Sequence, residues 1–206
     1  MERTFKLILA GDAGVGKTTF INRHLTGAYT NEYIPTIGVD IHSITFHTND
    51  GNTVTFNVWD CAGDPKFGGG LTTYYDDTQC AIVLYDCTSE TSSKRAIYWK
   101  SHISSFFKHS LPVVVYGNKC DIQGRHHYYE PIEICTSGIT RRDVNIPKSR
   151  NIISCKSNYN FELPFLELAQ QLTNNPNLEF VAAKRNITCV SSPATQSFKR
   201  VCRVSE

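Results

Sequence analysis

Residues 11–18 read Gly-Asp-Ala-Gly-Val-Gly-Lys-Thr and satisfy the pattern G-x-x-x-x-G-K-[ST]. The chemistry open to such a run is the holding of phosphates. Glycines let the backbone wrap closely enough for successive N–H groups to face anionic oxygens at the start of a helix. In that arrangement the backbone of Asp12, Ala13, Gly14, Val15 and Gly16 lines the phosphates and Lys17 reaches the β- and γ-oxygens. The Thr18 hydroxyl would then ligate Mg²⁺, with Thr19 next in the turn. An incidental glycine-rich turn could share the letters, but the apolar run before this one and the helix-like stretch after it supply the strand–loop–helix setting the chemistry needs. Alone, the run implies a nucleoside triphosphate and no particular base.

Asp60-Cys61-Ala62-Gly63 closes a second strand-like segment. An acid at a strand tip beside a phosphate loop can hold Mg²⁺, usually through water, and the Gly63 N–H can approach the γ-phosphate unobstructed by a side chain. The base is indicated by Asn118-Lys119-Cys120-Asp121. A carboxylate accepts from guanine N1–H and the 2-amino group together, and adenine offers no such donor pair. Asp121 is therefore expected to select guanine, with Asn118 bonding the base or the neighbouring loop and the Lys119 stem lying along the ring. Ser154-Cys155-Lys156 would complete the pocket with a backbone donor toward the guanine oxygen. Each short motif is weak alone; their order and spacing together are specific.

These residues need elements to hold them. Phe5–Ala10 reads as a buried strand, and the helix after the loop is expected to end near Leu25, with Gly27 as its C-cap. Val39–His47 and Thr53–Trp59 are rich in β-branched and aromatic residues and flank Asn49-Asp50-Gly51-Asn52, a hairpin signal. Cys80–Tyr85 and Pro112–Tyr116 are short apolar runs typical of parallel strands covered on both faces. Helices are expected over Ser92–Lys108 and Ser157–Leu172, the second presenting Phe161, Phe165, Leu168 and Leu172 on one face. Asn151-Ile152-Ile153 is expected as a sixth strand. Such alternation implies an α/β fold with a mostly parallel sheet and one antiparallel hairpin.

Length and composition narrow the class. With 206 residues the chain is one ordinary domain plus a short appendage. Lys and Arg number 21 against 19 Asp and Glu, so no global field marks a nucleic-acid or membrane-surface binder, and no nucleic-acid partner is expected. No apolar run approaches the ~20 residues of a membrane span. Eight cysteines without a C-x-x-C pair are expected to be reduced; Cys80, before Ala81-Ile82-Val83-Leu84, reads as a small hydrophobe. The segment 123–150 is long for a connection and carries His126-His127, which lacks a third ligand at metal spacing and reads as loop histidines.

Beyond the nucleotide motifs, the chain resembles the Ran-like small GTPases of the Ras superfamily. The similar runs include Arg23-His24-Leu25-Thr26-Gly27, Phe46-His47-Thr48-Asn49, Phe56-Asn57-Val58-Trp59-Asp60 and Lys66-Phe67-Gly68-Gly69. Others are Gln79-Cys80-Ala81-Ile82, Lys156-Ser157-Asn158-Tyr159-Asn160-Phe161-Glu162 and Pro176-Asn177-Leu178-Glu179-Phe180-Val181-Ala182. The resemblance covers roughly residues 4–182 and implies a P-loop G domain: six strands, mostly parallel, with helices on both faces. It implies GTP or GDP with Mg²⁺, and switch segments near 28–40 and 63–78. It assigns Thr36 to Mg²⁺ and the γ-phosphate, Tyr29 to stacking on the base, and Tyr33 to covering the phosphates. Lys17, Thr36 and the residue after Gly63 would then carry hydrolysis.

The departures from that family are specific. Its members carry Gln after D-x-x-G, where it orients the attacking water; here Asp64 stands there. A carboxylate cannot donate a hydrogen bond and adds negative charge near the γ-phosphate, so slow hydrolysis is expected; a base role for Asp64 toward the water is the alternative. Ala13 replaces a glycine and crowds the same space. Residues 183–206 form a basic tail, with five Lys and Arg against Glu206, where the family ends in acid. Arg203-Val204-Ser205-Glu206 is no prenylation box, so no membrane anchor is expected.

Two functions follow from the resemblance. One is a monomeric GTP-hydrolysing switch of nucleus and cytoplasm, working with importin-β-type receptors and with Ran-type exchange factor and activating protein. The other is a GTP-loaded binding module that occupies those receptors and rarely resets.

Overall fold

The computed structural model describes residues 2–63, 71–107, 110–122 and 151–182. Asp64, the run 66–69, the segment 123–150 and the tail 183–206 lie outside the described residues, so the expectations placed on them are carried by sequence alone.

Six strands form one sheet: β1 (Glu2–Ala10), β2 (Val39–Thr48), β3 (Thr53–Cys61), β4 (Cys80–Asp86), β5 (Val113–Asn118) and β6 (Phe180–Val181). Their order is β5-β4-β1-β3-β2-β6. The pairs β1–β3, β1–β4 and β4–β5 are parallel, whereas β2 runs antiparallel to β3 and to β6. This is the expected mostly parallel sheet with its hairpin. Thr48 closes that hairpin, donating through Oγ1 to the Asn52 carbonyl at 2.9 Å.

The identity of the sixth strand differs from the expectation. Asn151–Ile153 makes only a single parallel bridge, Gly117 to Ile152, beside β5. The sixth strand is Phe180–Val181, which pairs with Thr48 and His47 across more than 130 residues of chain. Beside β5 the pairing stops at that one bridge, and the chain turns away into the bridge between Ser154 and Tyr159; the pairing of β6 is a long-range event with no local signature.

Helices α1 (Lys17–Thr26), α2 (Glu90–Phe106) and α3 (Leu163–Thr173) cover both faces. Gly27 caps α1 in the left-handed conformation, as its position suggests. The Ser89 side chain caps α2, accepting from the Ser92 N–H at 3.3 Å. The last helix begins six residues later than expected. Asn158 and Asn160 adopt positive φ, which helical backbone excludes, and Pro164 fits the first turn, where its missing N–H costs nothing.

Successive residues of β1 face opposite layers. Leu7 and Leu9 join Phe20 and Ile21 of α1 and Phe165 and Leu168 of α3, while Ile8 and Ala10 join Trp99 and Ile103 of α2. A strand buried on both sides reads as continuous apolar sequence, which is what Leu7-Ile8-Leu9-Ala10 shows. Tyr75 is fully buried in the second layer, and half-buried Tyr74 lies against Trp59. Among the described residues no helix is long and apolar enough to cross a membrane.

Candidate functional site

The loops that carry the motifs leave the carboxyl ends of β1, β3 and β5, the edge where open α/β sheets bind ligands. Gly16 starts α1 with φ 98°, and a Cβ there would lie 2.5 Å from Asn118 Nδ2. Lys17 is buried; its ammonium donates to the carbonyls of Gly11 at 2.9 Å and Asp12 at 3.0 Å, closing the loop on itself. Burial lowers the Lys17 pKa, opposed by the carboxylates of Asp60 and Asp12. Gly63 packs against this turn: a methyl on it would overlap the Asp12–Ala13 peptide and come within 2.5 Å of Lys17 Nζ. The end of the Asp60–Gly63 motif thus lies in direct backbone contact with the phosphate loop.

Thr18, Thr36 and Asp60 converge. The Thr18 hydroxyl donates to Asp60 Oδ2 at 2.6 Å and lies 2.8 Å from the Thr36 hydroxyl. Asp60 is fully buried and its Oδ1 has no hydrogen-bond partner. Burial raises its pKa, with the Thr18 hydrogen bond and the Lys17 charge pulling the other way. A buried carboxylate oxygen lacking a donor is costly unless a cation or its bound water satisfies it. Two hydroxyls and a carboxylate are hard oxygen donors, so the set fits Mg²⁺.

The base loop is braced against the phosphate loop. Asn118 donates from Nδ2 to the Val15 carbonyl at 2.9 Å, and its Oδ1 accepts from the Cys155 N–H at 3.2 Å. Lys119, at φ 69°, donates to the Gly14 carbonyl at 2.7 Å and pairs with Asp86 at 2.8 Å. Those two contacts tie the Lys119 side chain to the phosphate loop and to the end of β4. Asp121 accepts from the Ser154 hydroxyl at 2.6 Å, and Ser154 Oγ in turn accepts from the Ser157 N–H at 3.0 Å. Burial raises the Tyr29 pKa, and the negative charge of the Asp121 carboxylate adds to it. Tyr33, by contrast, is 63% exposed. Lys156 is exposed beside Cys155, and Thr19 is half-buried in the first turn of α1.

Sequence reasoning missed three residues here. Asp86 ends β4 and accepts from the Thr88 N–H and hydroxyl as well as from Lys119; its place at a strand tip beside the pocket was the available signal. Arg95 and Trp99 of α2 both hold the Asp12 carboxylate, a tertiary contact with no local mark. Of the eight cysteines, Cys61, Cys80, Cys87, Cys120 and Cys155 fall among the described residues and are unpaired, and burial pushes the Cys61, Cys87 and Cys155 thiols up to about 12.

An anion-gripping loop tied through asparagine and lysine to a base-reading loop, over one mostly parallel sheet, defines a P-loop nucleotide-binding domain of the G-domain kind. The family model described as "Ras family" matches residues 6–188. The chain belongs to the Ras family: it is a small GTPase, a guanine-nucleotide switch of a family that binds GTP and GDP with Mg²⁺ and hydrolyses GTP.

Proposed function

We propose that this Ras-family GTPase is a Ran-like switch of nucleocytoplasmic transport whose hydrolytic step is slow. Support for the Ran branch comes from runs outside the nucleotide pocket, such as Arg23-His24-Leu25-Thr26-Gly27 and Pro176-Asn177-Leu178-Glu179-Phe180. The kinetic half rests on one observation: the residue after Asp60-Cys61-Ala62-Gly63 is Asp64 and not Gln.

In this reading the main-chain amides of Asp12 to Gly16 and the Lys17 ammonium hold the phosphates, and Thr18, Thr36 and Asp60 hold Mg²⁺. The metal supplies charge neutralisation at the β- and γ-oxygens. Asn118, Lys119 and Asp121 read the guanine, with Ser154 fixing the Asp121 carboxylate and the backbone at Cys155 and Lys156 beside the ring. Tyr29 packs on the base, and Tyr33 and Thr36 close over the phosphates when GTP is bound. At the position where the family carries Gln, Asp64 would bring negative charge toward the γ-phosphate and cannot donate to its oxygens, so it would neither orient water as Gln does nor relieve developing charge. The protein would act as a monomer in nucleus and cytoplasm, handing its state to importin-β-type receptors and reset by Ran-type exchange and activating proteins.

Single-turnover hydrolysis of the natural chain against Asp64→Gln tests the reading. The substitution should speed turnover; an unchanged or lower rate would show that Asp64 is no handicap. A second reading, a GTP-loaded module that occupies the receptors without resetting, is favoured by the same residue. Nucleotide released after native purification separates them, GTP marking the module and GDP the cycling switch.

A further inference from the structure

A carboxylate within a phosphate-gripping loop carries the same sign of charge as the ligand, and like charges at short range repel. Asp12 is such a residue, and the structure disposes of its charge on α2. Its Oδ1 accepts from the Trp99 indole N–H at 2.9 Å and lies 3.1 Å from Arg95 Nε. Arg95 and Trp99 stand four residues apart, so they project from one face of the helix. The Asp12 side chain is 15% exposed, against 50% for Arg95. Meanwhile the Asp12 carbonyl accepts from Lys17 Nζ at 3.0 Å, and Gly63 abuts the Asp12–Ala13 peptide. One peptide unit is therefore the meeting point of α2, the phosphate-reaching lysine and the start of the second switch.

We propose that Arg95 and Trp99 are positioning residues for nucleotide retention: they neutralise and anchor the Asp12 carboxylate on α2, and so set the peptide on which Lys17 and Gly63 rest. The proposal depends on the assignment of residues 11–18 to the phosphates. It makes α2, which supplies none of the sequence motifs, a determinant of how long nucleotide stays bound. A partner or substitution that displaces Arg95 frees a negative charge beside the triphosphate.

The test is release of a fluorescent GDP analogue from the full chain in Mg²⁺ buffer. Arg95→Gln, which removes the ion pair, and Trp99→Phe, which removes the hydrogen bond to the carboxylate, should each speed release about tenfold. In an Asp12→Asn background, Arg95→Gln should change release less than about twofold, because no charge remains to neutralise. Arg95→Lys, which keeps the charge, should recover part of the loss. As a readout apart from turnover, the Trp99 indole N–H resonance, identified by its loss in Trp99→Phe, should shift in Asp12→Asn while that of Trp59 stays. Unchanged release in Arg95→Gln, or the same acceleration with and without Asp12, would overturn the proposal. Failure of the unsubstituted chain to bind GDP would instead overturn the phosphate-loop assignment on which it stands.

Discussion

Asn118 donates its amide to the carbonyl of Val15 at 2.9 Å, joining the base-reading loop to the phosphate-gripping one through a buried side chain. Its other end accepts from the Cys155 N–H, so three loops share this residue. Asn118→Ala removes both bonds and leaves the Val15 carbonyl without its donor. A loss of about 2–3 kcal/mol in GDP binding is expected, roughly 30- to 150-fold in Kd by calorimetry. A thermal melt within a few degrees of the natural chain would show that the damage is local. Unchanged affinity would mean that the brace is dispensable.

Thr18→Ala takes from Asp60 Oδ2 its 2.6 Å donor, leaving a carboxylate whose Oδ1 is already unpartnered. The Mg²⁺ concentration needed for half-maximal GDP retention should rise at least about tenfold. If the Mg²⁺ titration is unmoved, the Thr18 hydroxyl is not a metal ligand.

Gly63→Ala tests the contact between the Asp60–Gly63 motif and the phosphate loop. An added methyl meets Lys17 Nζ at 2.5 Å and overlaps the Asp12–Ala13 peptide, so backbone must shift. GTP affinity should fall about tenfold or more and GDP affinity less, since the Gly63 N–H is assigned to the γ-phosphate. Equal losses for both nucleotides, measured by competition, would count against that assignment.

Acid sensitivity should be traceable to His24. Its Nδ1 lies 2.8 Å from the Phe20 carbonyl, its buried Nε2 lacks a partner, and the rings of Phe20, Phe46, Phe161 and Phe165 surround it. Burial lowers its pKa from 6.5 to about 4, the hydrogen bond only partly opposing. The folded chain then binds fewer protons than the unfolded one between those values. Stability is unaffected above pH 6.5 and falls as pH drops from there toward 4, by at most about 3 kcal/mol. Urea unfolding from pH 7 to 4.5 should show this slope, flattened in His24→Gln.

The nucleotide loops were legible because their chemistry is local. Gly11–Thr18 and Asn118–Asp121 must keep fixed spacing for consecutive backbone groups to face one ligand, and fixed spacing survives in sequence. The hairpin was equally plain, since Asn49–Asn52 announces its own turn. What escaped depends on residues distant in the chain. Phe180–Val181 is a strand only because Thr48 and His47 offer an edge, and Asn151–Ile153 stays a bridge despite similar letters. The delayed start of α3 was written in Asn158, Asn160 and Pro164, but Phe161 at helical spacing masked it by packing against His24 from outside the helix. Arg95 and Trp99 meet Asp12 over more than 80 residues, which no window on α2 could reveal.

The two-residue β6 joins the sheet at Thr48 and His47, where β2 ends beside its turn, whereas Val39, where β2 begins, pairs with Cys61 beside Gly63 and the phosphate loop. A dye or immobilisation handle at Asn49 or Val181 is therefore attached a full strand length from the catalytic edge. Anchored there, the protein can be watched loading and unloading on a sensor surface with its working face turned outward.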